Sequence, residues 1–181
     1  MTKEEFKKVL DQKVRAAKEA PKIDWNAERR EWLENLACFY RKVEEYLAEF
    51  QNEGKVKLEK STVTVTEDHL GQYEAECMSI QIGDDEVKLI PIGTLLLGAK
   101  GRVDMVGPAG TAKFVLTEKH SKGIRISVTV RGEAKGAQEA APPPTARDEF
   151  VWKLATPPPK VRLIELRPET FFSALTEVVN G

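Results

Sequence analysis

Residues 32–50 read WLENLACFYRKVEEYLAEF and residues 123–131 read GIRISVTVR, and these two stretches decide the fold. In the first, Trp32, Leu36, Phe39, Val43, Tyr46 and Phe50 recur at alternating spacings of four and three, which is one stripe of an α-helix. In the second, Ile124, Ile126, Val128 and Val130 alternate with Arg125, Ser127, Thr129 and Arg131, as on a strand with one buried face. The period of the apolar pattern changes near Gly54, so a helical N-terminal part precedes an antiparallel sheet.

Upstream of the first stretch, the sequence predicts a helix over about residues 3–19. Thr2 and Glu5 are spaced as a capping box, in which hydroxyl and carboxylate satisfy orphan backbone donors. Phe6, Leu10, Val14 and Ala17 give this helix a narrow apolar stripe, and Pro21 ends it. Asp24 or Asn26 then caps a second helix that runs to about Asn52 and stops at Gly54. Residues 1–54 are expected to form a helical hairpin. The second helix carries a further row, Leu33, Tyr40 and Leu47, seven residues apart. So wide a stripe packs against something large, either the sheet or a helix of another chain.

Downstream, strands are expected near 56–66, 73–82, 86–92, 101–106, 111–118, 123–131, 149–155 and 160–166. Gly83-Asp84-Asp85, Gly107-Pro108-Ala109-Gly110 and His120-Ser121-Lys122-Gly123 are turn-like joins between them. Gly132 to Asp148 holds Pro142-Pro143-Pro144 and no large apolar residue, which predicts a long mobile loop. Pro157-Pro158-Pro159 predicts a stiffer, extended connection. A short helix begins at Pro168 and offers Phe171, Phe172, Leu175, Val178 and Val179 to the core. The expected class is α+β. It comprises a two-helix hairpin, then residues 55–181 as a curved, mostly antiparallel β-sheet or barrel with a short C-terminal helix, folding as one unit with the hairpin.

The chain has 181 residues and a formal net charge of −1, against a dedicated nucleic-acid binder, which carries a strong basic excess. The charged N-terminus lacks the apolar core of a signal peptide, and Leu89 to Ala99 is too short to span a bilayer. Cys38 and Cys77 are far apart and are expected as reduced thiols. A cytoplasmic protein that does not engage a membrane is the expectation.

Charge is segregated within the β region. Residues 67–87 hold Glu67, Asp68, Glu74, Glu76, Asp84, Asp85 and Glu86 with no Lys or Arg. Residues 100–131 are basic, and Lys100, Arg102, Arg125 and Arg131 form a candidate anion site, since guanidinium groups on one strand face suit phosphate or carboxylate. Gly98-Ala99-Lys100-Gly101-Arg102 lacks the spacing of a phosphate-binding loop. Neither His69 nor His120 has partners at metal-ligand spacing, and no cofactor or metal is expected.

The favoured function is a non-catalytic protein-interaction or assembly module, with a protein partner or self-association through Leu33, Tyr40 and Leu47. An anion-binding module for a nucleotide or nucleic acid is the alternative. An enzyme of a class the motifs do not reveal is the third.

Overall fold

The computed structural model describes residues 3–19, 24–94, 99–120 and 150–181. Helix α1 covers Lys3–Glu19, with Glu4 and Glu5 placed at the positive end of the helix dipole. Asp24 then starts the longest helix, α2 (Trp25–Asn52), by accepting hydrogen bonds from the backbone N–H groups of Asn26 and Ala27, both at 3.1 Å. Gly54, at a φ of 71°, takes the left-handed conformation that turns the chain out of α2.

Seven strands follow, β1 (Val56–Glu67), β2 (Gly71–Ile82), β3 (Asp85–Gly93), β4 (Gly101–Val106), β5 (Thr111–Glu118), β6 (Phe150–Ala155) and β7 (Leu163–Glu165). Each pairs antiparallel with the next, so spatial order repeats chain order from β1 to β7. Among the described residues the sheet does not close on itself, and β1 and β7 are its edges. The last strand expected, 160–166, shrinks to three residues behind the proline run. The strand expected at 123–131 and the loop expected at 132–148 lie outside the described residues.

Helix α2 lies across one face of this sheet. Cross-strand rows on that face run Met78–Leu89–Met105, Pro91–Val103–Phe114–Leu154 and Gly101–Leu116–Trp152. Trp32, Leu36, Phe39, Tyr40, Val43 and Leu47 of α2 are buried among them in a single apolar cluster. Phe39 is at the centre, with ring centroids 4.7 Å from Trp152 and 5.4 Å from Phe114. Helix α3 (Pro168–Asn180) closes the C-terminal side, burying Phe171, Ala174, Leu175 and Val178. Tyr46 and Phe50, the last two members of the α2 stripe, meet α3 through Phe171 and Phe172 at 5.8 and 5.7 Å.

Two local findings depart from simple alternation. In β2 the buried side is odd-numbered at Tyr73, Ala75 and Cys77, then even-numbered at Met78 and Ile80. Pairing with β1 is unbroken throughout, so the long β1–β2 ribbon twists and buries opposite sides in its two halves. The second departure concerns the expected hairpin of helices. Both helices form, yet every residue from Lys3 to Gln12 is exposed, so that stretch of α1 does not pack on α2.

Candidate interaction surface

Strand β4 carries Arg102 on the side away from the core, and Asp104 follows two residues later on the same side. Arg102 Nε donates to Asp104 Oδ1 at 2.6 Å and Nη2 donates to Oδ2 at 2.5 Å, a two-point grip. The Asp104 carboxylate holds the guanidinium pKa above its usual value, against a smaller opposing effect of burial. Lys100, just before β4, reaches Glu28 in the first turn of α2 at 3.6 Å and sits 5.2 Å from the centre of the Phe150 ring. Thus each described member of the candidate anion site already has an acidic partner within the chain. Arg125 and Arg131 lie outside the described residues.

The row Leu33, Tyr40 and Leu47 separates. Tyr40 and Leu47 are 0% and 1% exposed, so the structure corrects their assignment to a partner surface. The reason is that α2 is covered from two directions, by the twisted sheet and by α3, which uses more of its circumference than one flat layer would. The Tyr40 hydroxyl donates to the Glu76 carbonyl at 2.8 Å, with the Leu89 carbonyl 3.1 Å away, so this one side chain joins α2 to β2 and β3. Burial, then the nearby Cys77 and Glu76, push its phenol pKa upward. Leu33 remains half-buried and lines an open groove on α2 with Asn26, Arg29, Arg30, Glu34 and Ala37.

Two polar sites escape sequence reasoning. At the tip of the β1–β2 ribbon, Glu67 accepts from the Tyr73 hydroxyl at 2.5 Å and from the backbone N–H and hydroxyl of Thr94, each at 2.8 Å. Beside it, His69 stacks on Trp25 of α2 with centroids 4.8 Å apart. Burial and the Glu67 hydrogen bond raise the Tyr73 phenol pKa. The indole N–H of Trp32 is buried and has no hydrogen-bond partner among the described residues. The second site is Lys153, 4% exposed on β6, whose Nζ donates to the carbonyls of Glu118 and Lys119 at 2.9 and 3.0 Å. Burial lowers its pKa, and Glu165 opposes that shift. The available signal for Lys153 is a lone lysine inside the apolar run Phe150–Ala155. For Glu67 no local signal exists, since Thr94 is 27 residues away.

Burial likewise raises the thiol pKa of Cys77, which makes it a poor nucleophile. Among the described residues no three His, Cys, Asp or Glu side chains gather as a metal would require, and no helix is long and apolar enough to cross a membrane.

Among the described residues, large apolar side chains are exposed singly at Ile92, Val106, Val161 and Ile164, and as a group on α1. Phe6, Val9 and Leu10 are 52%, 45% and 47% exposed and stand at i, i+3 and i+4, on one side of the helix. Lys3, Lys7, Lys8 and Asp11 surround them. Comparison with protein-family models, with curated proteins and with solved structures found no match.

Proposed function

We propose that the chain is a non-catalytic protein-interaction or assembly module, and that α1 rather than the Leu33–Tyr40–Leu47 row is its docking element. The observation that supports this reading is the adjacent exposure of Phe6, Val9 and Leu10 on a helix whose first ten residues are uncovered. Single exposed apolar residues are ordinary, whereas a contiguous stripe on an amphipathic helix is how helix-in-groove partners are recognised. A helix of this length is marginal in water by itself, so burial of the stripe in a partner groove would also stabilise α1.

The test compares the tagged wild-type chain with Phe6→Ser/Leu10→Ser in affinity purification from the native cells, with and without nuclease. A stoichiometric protein that survives nuclease and is lost from the double variant is the expected result. Equal recovery by both chains overturns the assignment of α1. Because both positions are exposed, the variant should keep the wild-type melting temperature, which separates lost docking from lost folding.

A further inference from the structure

The two edges of the sheet differ. One ends in β7, three residues long, followed shortly by Pro168 and α3. The other ends in β1, twelve residues paired to β2 in a single unbroken register from Val56–Ile82 to Glu67–Gly71. Every second residue of such a strand turns its N–H and C=O outward, away from its one neighbour. Among the described residues, the backbone of 56–66 makes no hydrogen bond other than those to β2. Sheet edges are normally kept from pairing by prolines, lysines or bulges. From Ser61 to Thr66 this edge has none of the three, only Ser, Thr and Val, and Ser61, Thr62, Thr64 and Thr66 are exposed.

We propose that β1 is the pairing edge for a second copy of this chain, joined antiparallel about a two-fold axis so that the sheet continues across the dimer. Charge selects that occupant. Residues 55–60 carry Lys55, Lys57 and Lys60 against Glu59, and the strand ends in Glu67 followed by exposed Asp68. Antiparallel self-pairing lays the basic start of each copy beside the acidic end of the other, at both ends of the contact. Lys55 and Lys57 are held only by exposed pairs with Glu53 and Glu59, at 2.6 and 2.5 Å, which exchange readily in water. A register centred on Thr62 sets Lys57 opposite Glu67 of the other copy and within one position of its exposed Asp68, so the lysine adds to a carboxylate that Tyr73 and Thr94 already hold and faces a second acid beside it. Pairing along one edge buries less than about 1,000 Å², which makes this a weak, reversible dimer. This surface is distinct from α1, so the inference stands or falls independently of the docking role given to that helix.

Sedimentation velocity of the full chain, from roughly 10 μM to 1 mM to reach the range of weak interfaces, provides the test. The wild type should pass reversibly from monomer to dimer. Thr62→Lys/Thr64→Lys places like charges across the two-fold axis and should weaken the dimer at least about tenfold. Phe6→Ser/Leu10→Ser should leave it unchanged. A wild type that stays monomeric throughout overturns the proposal, as does a dimer equally strong in the lysine variant. Should the lysine variant fail to fold, hydrogen exchange on the wild type decides: amides of β1 gain protection with concentration if the proposal holds, and do not if it fails.

Discussion

A Cβ atom added to Gly101 would overlap the six-membered ring of Trp32. The helix therefore rests on the sheet at the point where β4 has no side chain, and the indole takes the place that one would occupy. Gly101 is opposite Leu116, which is in turn opposite Trp152, so the contact is part of the central apolar row. Gly101→Ala should force the ring or the strand to move and cost about 1–3 kcal/mol. Nothing lies within 4 Å of a Cβ on Gly110, and Gly110→Ala should stay within about 0.5 kcal/mol of wild type. Urea unfolding of both variants checks the contrast.

Tyr40 should report on stability and not on partner binding. Tyr40→Phe keeps the ring and removes the hydroxyl that donates to the Glu76 carbonyl, at a cost of about 1–2 kcal/mol. Tyr40→Ala should cost about 3–5 kcal/mol through the cavity left beside Phe39. A pH signature accompanies the first change. Burial raises the folded phenol pKa above its ordinary value of about 10, so its contribution is complete below about pH 10 and fades as pH climbs toward the folded value. The alkaline loss of stability should therefore be shallower in Tyr40→Phe, as measured by urea midpoints across that range.

Tyr73→Phe removes one of the donors to the Glu67 carboxylate and leaves both Thr94 donors in place. The expected cost is about 1 kcal/mol. It should be concentrated at the ribbon tip, with faster amide exchange near residues 66–72 and little change in β4 and β5.

Helix α3 is part of the core and not an appendage. Phe171 is 0% exposed and lies 6.3 Å from Phe114, centroid to centroid. Phe171→Ala should cost about 3–5 kcal/mol. The exposed Phe6 gives the comparison, since Phe6→Ala should leave the urea midpoint within about 0.5 kcal/mol of wild type.

The α2 stripe was readable because α-helical period and burial coincide from Trp32 to Leu47, and the turn at Gly83 because its φ of 59° favours glycine. The strand succession was readable for the same reason, with short turns enforcing hairpins. What escaped was set by tertiary wrapping. A row of apolar residues at heptad spacing looks the same whether a second helix or the subject's own sheet covers it, so Tyr40 and Leu47 gave no warning of being internal. The switch of buried parity between Cys77 and Met78 arises from twist in an unbroken ladder, which alternation cannot express. The acid pairing of Arg102 was locally visible, two residues from Asp104 on one strand side, whereas the Lys100–Glu28 contact spans distant segments.

The meander has a consequence for synthesis. Each strand can close on its predecessor as soon as it is made, so most pairing is local in sequence and fast. The aromatic seat of α2 is different, since Trp152 donates to the Asn35 carbonyl at 3.3 Å from 117 residues further along the chain. On the ribosome α2 emerges early with Trp32, Phe39 and Tyr40 uncovered, and nearly the whole sheet must follow before Phe114, Trp152 and Phe171 can shield them. The interval in which a nascent chain is most in need of a chaperone is thus written into the order of its elements.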